Sequence, residues 1–265
     1  MTGAPNRRRK FSFGENRPVH VETAPAKLTV SLKMVGLRDD GYHLIDAEMV
    51  SLDLADTLTF SEGDGLTITI AGSAARGLSI EATPDNLVAR ALTLLGCRAH
   101  VDIVKRIPAG GGLGGGSADA AAVFRWAKRT SNDDIIAAAK LGADVSFCIS
   151  GGRARVTGIG EIVAPLPFIE RTYSLLTPPF GVSTPAVYRA WDALGGPTGD
   201  GPNDLEPAAL IVEPRLIEWR DRLGELTGHM PILAGSGSTW FVEGTFDGSH
   251  DGIELLTVHT TASAL

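Results

Sequence analysis

Apolar positions along the chain follow two periods that change over in blocks. From Val19 the period is two. In "KLTVSLKMVG", Leu28, Val30, Leu32 and Met34 fall on one face, the pattern of a half-buried strand. "DTLTF" and "LTITI" on either side of "SEGDG" predict a β-hairpin. "TPDNLVARALTLLG" changes to the helical period, with Thr83 as N-cap, Pro84 at the first helical position and Gly96 as the stop. Val101, Ile103, Val104 and Ile107 of "HVDIVKRIP" predict a further strand. "SADAAAVFRWAK" predicts a helix of strong helix formers with a serine at its mouth. "SNDDIIAAAKLG" predicts a shorter helix, capped by Ser131 or Asn132 and ended by Gly142.

A strand-like "GGRARVTGIGE" closes the first half, and the proline-bearing "PLPFIERT" reads as a junction between domains at 19–165 and 170–265. Beyond it come a strand, "YSLLTP", and a helix, "STPAVYRAWDALG", capped by Ser183 or Thr184 with Pro185 at its first position. "NDLEPAALIVEPRLIEWRDRLGEL" is helical in two pieces punctuated by Pro207 and Pro214. "PILAGSGSTWFVEG" reads as strand, glycine turn, strand, and "IELLTVHTT" as a last strand. Strands come in groups with helices between and no steady βαβ rhythm, which predicts two α+β domains.

Composition narrows the function classes. With 265 residues, 43% hydrophobic and 21% charged, the chain is that of a globular protein able to bury a real core. A formal net charge of −7 excludes a nucleic-acid binder of the usual basic kind. No apolar run approaches the roughly 20 residues that span a bilayer, so no membrane association is expected. The basic start, "MTGAPNRRRKFSFGENRP", has no apolar stretch of the secretory type, and residues 1–18 read as a disordered tail. Cys97 and Cys148 lack metal-ligand spacing and sit in apolar surroundings, which predicts free buried thiols and a cytoplasmic location. The expected partner is a small molecule, and the expected state a monomer or weak homodimer.

The outlier is glycine. Of 32 glycines, six fall between Gly110 and Gly116, interrupted only by Leu113. A flexible linker is one reading, but a strand before and a helix after place backbone N–H groups and a helix dipole around an anion. Two familiar phosphate loops do not fit. Gly111 to Gly116 followed by Ser117 has the P-loop spacing without its lysine. Gly110, Gly112 and Gly115 match the dinucleotide fingerprint, but the acids near the required distance, Asp133 and Asp134, open a helix.

"PAGGGLGGGSADAA" resembles the phosphate loop of the GHMP small-molecule kinases, the superfamily of galactokinase, homoserine kinase and mevalonate kinase. Other stretches narrow the resemblance to the 4-diphosphocytidyl-2-C-methyl-D-erythritol kinase family. "APAKLTVSLKMVGLRDDGYH" is similar to its amino-terminal motif, "LGADVSFCISGGRARVTGIGE" to its GADV segment, and "PPFGVSTPAVY", "NDLE" and "LAGSGSTWF" follow in family order. The likeness runs from about Val21 to Phe241. It implies a two-domain α+β GHMP kinase fold, with a ribosomal-protein-S5-like amino-terminal domain and a ferredoxin-like carboxy-terminal one. The implied activity is ATP-dependent phosphorylation of the substrate's 2-hydroxyl, with Mg²⁺. A kinase for another small alcohol (mevalonate, homoserine) or a non-catalytic ligand-binding member of the same fold are the alternatives.

The resemblance also assigns roles. Pro108, Ala109, Gly110, Gly111, Gly112, Leu113, Gly114, Gly115, Gly116, Ser117 and Ala118 would wrap the triphosphate, with Ser117 the hydroxyl nearest the metal. Asp144, on its own a turn or N-cap aspartate, would be the general base, and Lys27, on its own a solvated lysine, would stabilise developing negative charge. Tyr42 and His43 would hold the cytosine, with Tyr188 closing the sandwich. Thr184, Gly235, Ser236 and Gly237 would lie at the substrate. Three departures stand out: Thr29 where the family has asparagine, Ser146 where it has proline, and a shortened stretch before Leu141.

Overall fold

The computed structural model describes residues 19–72 and 83–263, and the tail expected over 1–18 lies outside the described residues. Two long strands, β1 (His20–Leu37) and β2 (His43–Ser61), form an antiparallel pair that organises the amino-terminal half. Register shifts interrupt the pairing between Pro25 and Lys27 and again between Thr29 and Ser31. Such irregularities re-aim side chains, and here they flank Lys27 and Thr29, two polar residues among buried positions that are otherwise apolar.

The expected hairpin between "DTLTF" and "LTITI" does not form. The chain does reverse at "SEGDG", but β4 (His100–Lys105) inserts between β2 and β3 (Gly65–Ile70), antiparallel to the first and parallel to the second. The reason is burial. Val101 and Ile103 of β4 are almost wholly enclosed, whereas β3 is largely exposed and takes the edge. A turn motif specifies reversal; the apolar content of the strands decides which one neighbours which. On the other half of β2, β5 (Arg153–Gly158) pairs antiparallel and β6 (Ile162–Pro165) closes a hairpin on it.

The crossover from β3 to β4 carries α1 (Leu87–Leu95). Its N-cap is Asn86, not Thr83: the Asn86 carboxamide accepts the Val88 N–H at 2.9 Å, and Thr83 only starts the preceding turn. Gly96 ends it in the left-handed conformation, φ 65°. The central helix, α2 (Gly115–Trp126), begins inside the glycine run, two residues before the expected serine. It packs against β1, α1 and α4 (Ala143–Ser150), and every residue from Ala118 to Trp126 is buried. Alanines at 118 and 120–122 let those neighbours approach closely, while Trp126 stacks on Phe60 at 4.6 Å. Burying side chains of that size contributes about 1.5–3 kcal/mol each.

α3 (Asn132–Ala138) takes Ser131 as its N-cap, in a capping box with Asp134. It stops short of Gly142, which instead opens α4. The sequence pattern did not announce α4 because Val145, Phe147, Cys148 and Ile149 are all buried, leaving no polar face to mark a period.

The second half is a four-stranded antiparallel sheet in the order β12 (Leu256–Thr261), β7 (Thr172–Leu176), β9 (Trp240–Glu243), β8 (Ile232–Leu233). The helices α5 (Thr184–Ala193), α6 (Glu206–Val212) and α7 (Leu216–Thr227) follow β7. Pro207 sits in the first turn of α6, where it is tolerated, and Pro214 separates α6 from α7. The order is that of a ferredoxin-like βαββαβ unit, except that a short hairpin, β10 (Ser249–His250) with β11 (Ile253–Glu254), stands where the second crossover helix belongs. β12 pairs with β7 through Leu256 to His259 and then with β2 through Thr260 and Thr261, so its last turn of chain joins the two sheets. No helix among the described residues is long and apolar enough to cross a membrane.

Candidate active site

The glycine run starts as loop and ends as helix. Gly110, Gly112 and Gly114 have φ of 71°, 75° and 70°, and Gly114 is the N-cap of α2. The N–H groups of the first turn, at Gly115, Gly116 and Ser117, have no acceptor within the helix, and the dipole of a 12-residue helix adds to them. Two positions require glycine by contact. A Cβ on Gly112 would meet the carbonyl oxygens of Ala234 and Gly237 at 2.6 Å, and one on Gly114 would meet Lys27 Cγ at 2.7 Å.

Both ends of the loop are tied to one buried ion cluster. Asp56, on β2 and wholly enclosed, accepts the N–H groups of Arg106 (2.5 Å) and Ile107 (2.9 Å) just before the loop, and the Lys105 ammonium. Lys105 also donates to Asp119, one turn into α2, at 2.5 Å. The lysine therefore links the strand entering the loop to the helix leaving it. Burial pushes the Asp119 carboxyl up to about 7, against the pull of Lys105, and its Oδ1 has no hydrogen-bond partner among the described residues.

Lys27 lies on the other side of the loop. Its backbone N–H donates to Leu113 O at 3.0 Å, its ammonium to Thr29 Oγ1 at 3.0 Å, and Asp144 Oδ2 is 3.3 Å from Nζ. Thr29, the departure from asparagine, thus supports the lysine directly. Asp144 stands in the first turn of α4, with its side chain 29% exposed against 6% for Lys27. Ser146, the departure from proline, bonds through its hydroxyl to Ile135 O at 2.8 Å and fastens α4 to α3.

The facing wall comes from the second half. Thr239 N–H donates to Gly111 O at 3.1 Å, seating the loop on the turn between β8 and β9. Thr184 bonds Ser236 at 2.7 Å instead of capping α5, where Ser183 holds the cap position. Asn203 donates to the carbonyls of Leu233 (2.8 Å) and Gly235 (2.7 Å), and Asp204 accepts from Met34 N (2.9 Å), so the "NDLE" stretch docks this turn onto β1. His43, the first residue of β2, meets Tyr188 at 4.9 Å and Trp191 at 5.6 Å between ring centroids, and Asp192 at 2.7 Å. Burial, with the Asp144 charge adding, pushes the Tyr188 phenol up to about 12, so it stays protonated.

These walls enclose a cleft of about 380 Å³ lined by Lys27, His43, Gly110, Gly112, Gly114 to Ser117, Asp144, Thr184, Tyr188, Gly235 and Ser236. Pro108, Ala109, Gly111 and Leu113 line the opposite face of the loop together with Lys105 and Asp119. Three further expected site residues line neither face. Ala118 is buried, Gly237 sits behind the turn against Leu233, and Tyr42 is 58% exposed at the strand connection with the Arg38 guanidinium 5.8 Å from its ring centre. The sequence reading missed Asp56, Lys105, Asp119, Trp191, Asp192 and Asn203. Lys105 was findable: it shares the inward alternation of Val101 and Ile103, and a lysine at a core position needs a carboxylate partner. Cys97 and Cys148 are free and buried as expected, with Cys148 pushed up to about 12 by burial.

A glycine cradle at a helix mouth, a lysine–aspartate pair beside it and an aromatic clamp across the cleft, on this α+β scaffold, define a small-molecule kinase of the GHMP class. The GHMP kinases N terminal domain model matches residues 86–152. The chain is 38% identical to a 4-diphosphocytidyl-2-C-methyl-D-erythritol kinase from Paracoccus denitrificans, over 84% of this chain and 87% of that one. It is 36% identical to the kinase of the same name from Ruegeria pomeroyi, over 82% and 86%. A crystal structure of 4-(cytidine 5'-diphospho)-2C-methyl-D-erythritol kinase superposes with a TM-score of 0.64 at 33% identity, covering 84% of this chain and 89% of that one. The chain belongs to the 4-diphosphocytidyl-2-C-methyl-D-erythritol kinase family.

Proposed function

We propose that this protein transfers the γ-phosphoryl group of ATP to the 2-hydroxyl of 4-diphosphocytidyl-2-C-methyl-D-erythritol, in the non-mevalonate route to isoprenoids. The observation that carries the reading is the Lys27–Asp144 pair, 3.3 Å apart, in one cleft with both the glycine cradle and the His43–Tyr188 contact. The triphosphate lies along Gly110 to Ser117, held by backbone N–H groups and the α2 dipole. The cytosine lies against His43 and Tyr188, with the exposed Tyr42 ring at its other face. Thr184 and the turn at Gly235 to Gly237 border the diphosphate.

Asp144 accepts the proton of the 2-hydroxyl as that oxygen attacks the γ-phosphorus, and the bond to the β-phosphate oxygen breaks to release ADP. Lys27 offsets the negative charge that builds on the transferring group. Among the described residues no cluster of three or more His, Cys, Asp or Glu side chains could hold a metal ion; Mg²⁺ would enter with the nucleotide. Ser117 Oγ is the oxygen that would meet it, and the ion would neutralise phosphate charge. The buried free thiols fit a reducing, cytoplasmic setting.

The test is ADP release with ATP and Mg²⁺, comparing the cytidyl substrate with mevalonate and homoserine. Turnover confined to the cytidyl compound supports the reading. Preference for either other alcohol reassigns the acceptor. Binding of ATP and the cytidyl compound without any ADP would make the protein a non-catalytic member of the fold.

A further inference from the structure

We propose that Asp192 is a positioning residue for base specificity: it holds the ring proton of His43 on Nε2 and leaves Nδ1 as the acceptor offered to the cleft, which favours cytosine over uracil. This inference rests on the base-site reading above.

The geometry is direct. Asp192 Oδ1 lies 2.7 Å from His43 Nε2, and an ionised carboxylate only accepts, so Nε2 donates. In the neutral imidazole the other nitrogen then accepts. His43 lines the cleft, and its Nδ1 has no hydrogen-bond partner among the described residues. The ring cannot easily turn away. Tyr188 packs against it at 4.9 Å and 43°, Trp191 meets it edge-on at 5.6 Å and 84°, and Trp191 is itself fixed by donating Nε1 to Pro197 O at 2.9 Å.

Tyr188, Trp191 and Asp192 stand at spacings of three and four on α5, so one helix face carries the whole lock. Cytosine presents an amino group where uracil presents a carbonyl. An acceptor at Nδ1 pairs with the first and faces the second with no proton between them, and unpaired polar groups in a closed site are what separate close analogues.

The experiment measures CDP and UDP affinity by calorimetry at pH 8 for the parent, Asp192→Ala and Asp192→Asn, with the ¹⁵N spectrum of the His43 ring in the parent. The expected result is a parent that prefers CDP and carries the proton on Nε2. The CDP/UDP ratio should fall roughly tenfold in Asp192→Ala, the scale of one hydrogen bond. Asp192→Asn keeps the contact, but its amide can accept from a protonated Nε2 or donate to a bare one, so the ratio should fall there severalfold as well. ATP affinity and melting temperature should stay at the parent values. A preference for CDP that survives Asp192→Ala overturns the proposal and leaves the base site standing. A proton found on Nδ1 overturns it too. A parent that binds both nucleotides equally removes the base-site reading, and the proposal with it.

Discussion

Replacing Asp56 with alanine tests whether the ion cluster beneath the glycine loop holds the loop in place. Asp56 is fully enclosed and accepts three donors: the Lys105 ammonium and the N–H groups of Arg106 and Ile107. Alanine takes the acceptor from all three donors at once. The Ile107 amide, in a residue with no exposed surface, loses its partner at a cost of about 1–3 kcal/mol. Taking one partner from a buried ion costs about 3–5 kcal/mol, moderated here because Asp119 still pairs with Lys105. The two effects share one site and do not add, so about 3–5 kcal/mol is the expected loss. With a urea m-value of about 3 kcal/mol/M, the unfolding midpoint should fall by roughly 1–1.7 M. Under conditions where both proteins are folded, KM for ATP should rise more than about tenfold while KM for the acceptor holds, since only the cradle is loosened. Converting the whole cluster to Asp56→Asn, Lys105→Met and Asp119→Asn should cost less than Asp56→Ala alone, because no charge is left buried unpaired. A midpoint shift below about 0.3 M for Asp56→Ala would refute the reasoning, since a loss that small leaves no room for a buried network.

Three further outcomes follow from the same geometry. Asp144→Asn keeps the shape of the side chain but cannot take a proton, so kcat should fall by at least ~10² with ATP affinity nearly unchanged; single-turnover kinetics at the parent rate would remove Asp144 as the base. Gly112→Ala places a methyl 2.6 Å from two backbone carbonyl oxygens at φ 75°, so denaturant titration should show a loss above the ~1–2 kcal/mol of the backbone conformation alone. For Asp119 the folded-state carboxyl titrates near 7, above the ordinary 3.8, so its contribution is fully present below the ordinary value and is lost as pH rises through the folded one. The stability of Asp119→Asn relative to the parent should therefore increase from pH 3.8 to about 7, and a flat difference across that window would contradict the burial of the charge.

The glycine run was legible by itself, because its strand before and helix after are local patterns, whereas Lys27 and Asp144 were singled out only by the family resemblance of their motifs; the structure brings all three to one cleft. Sequence reading failed where a partner lies far along the chain. The β2–β3 hairpin was misjudged because only the competing burial of Val101 and Ile103 makes β4 the neighbour. Helix α4 was missed because its apolar residues run together instead of alternating with polar ones. Asp56 and Lys105 are 49 positions apart, and nothing in either local pattern names the other.

The same logic explains where the substrate side of the site gets its precision. His43 comes from the first strand pair and α5 from the second half of the chain, so the aromatic contact and the 2.7 Å bond to Asp192 exist only when the halves are docked. That docking is itself polar and specific. Asn203 holds the Leu233 and Gly235 carbonyls, Asp204 takes the Met34 N–H, and Thr239 takes the Gly111 carbonyl. The Asp204 and Thr239 bonds tie the second half to β1 and to the glycine loop, while Asn203 holds the Gly235 turn to the segment that Asp204 anchors. The glycine loop is fixed from beneath by Asp56 and Lys105 and from across the cleft by Thr239. The glycine loop and the His43–Tyr188 contact are thus registered to one another through the protein, which is the preorganisation that the proposed transfer between two bound substrates requires.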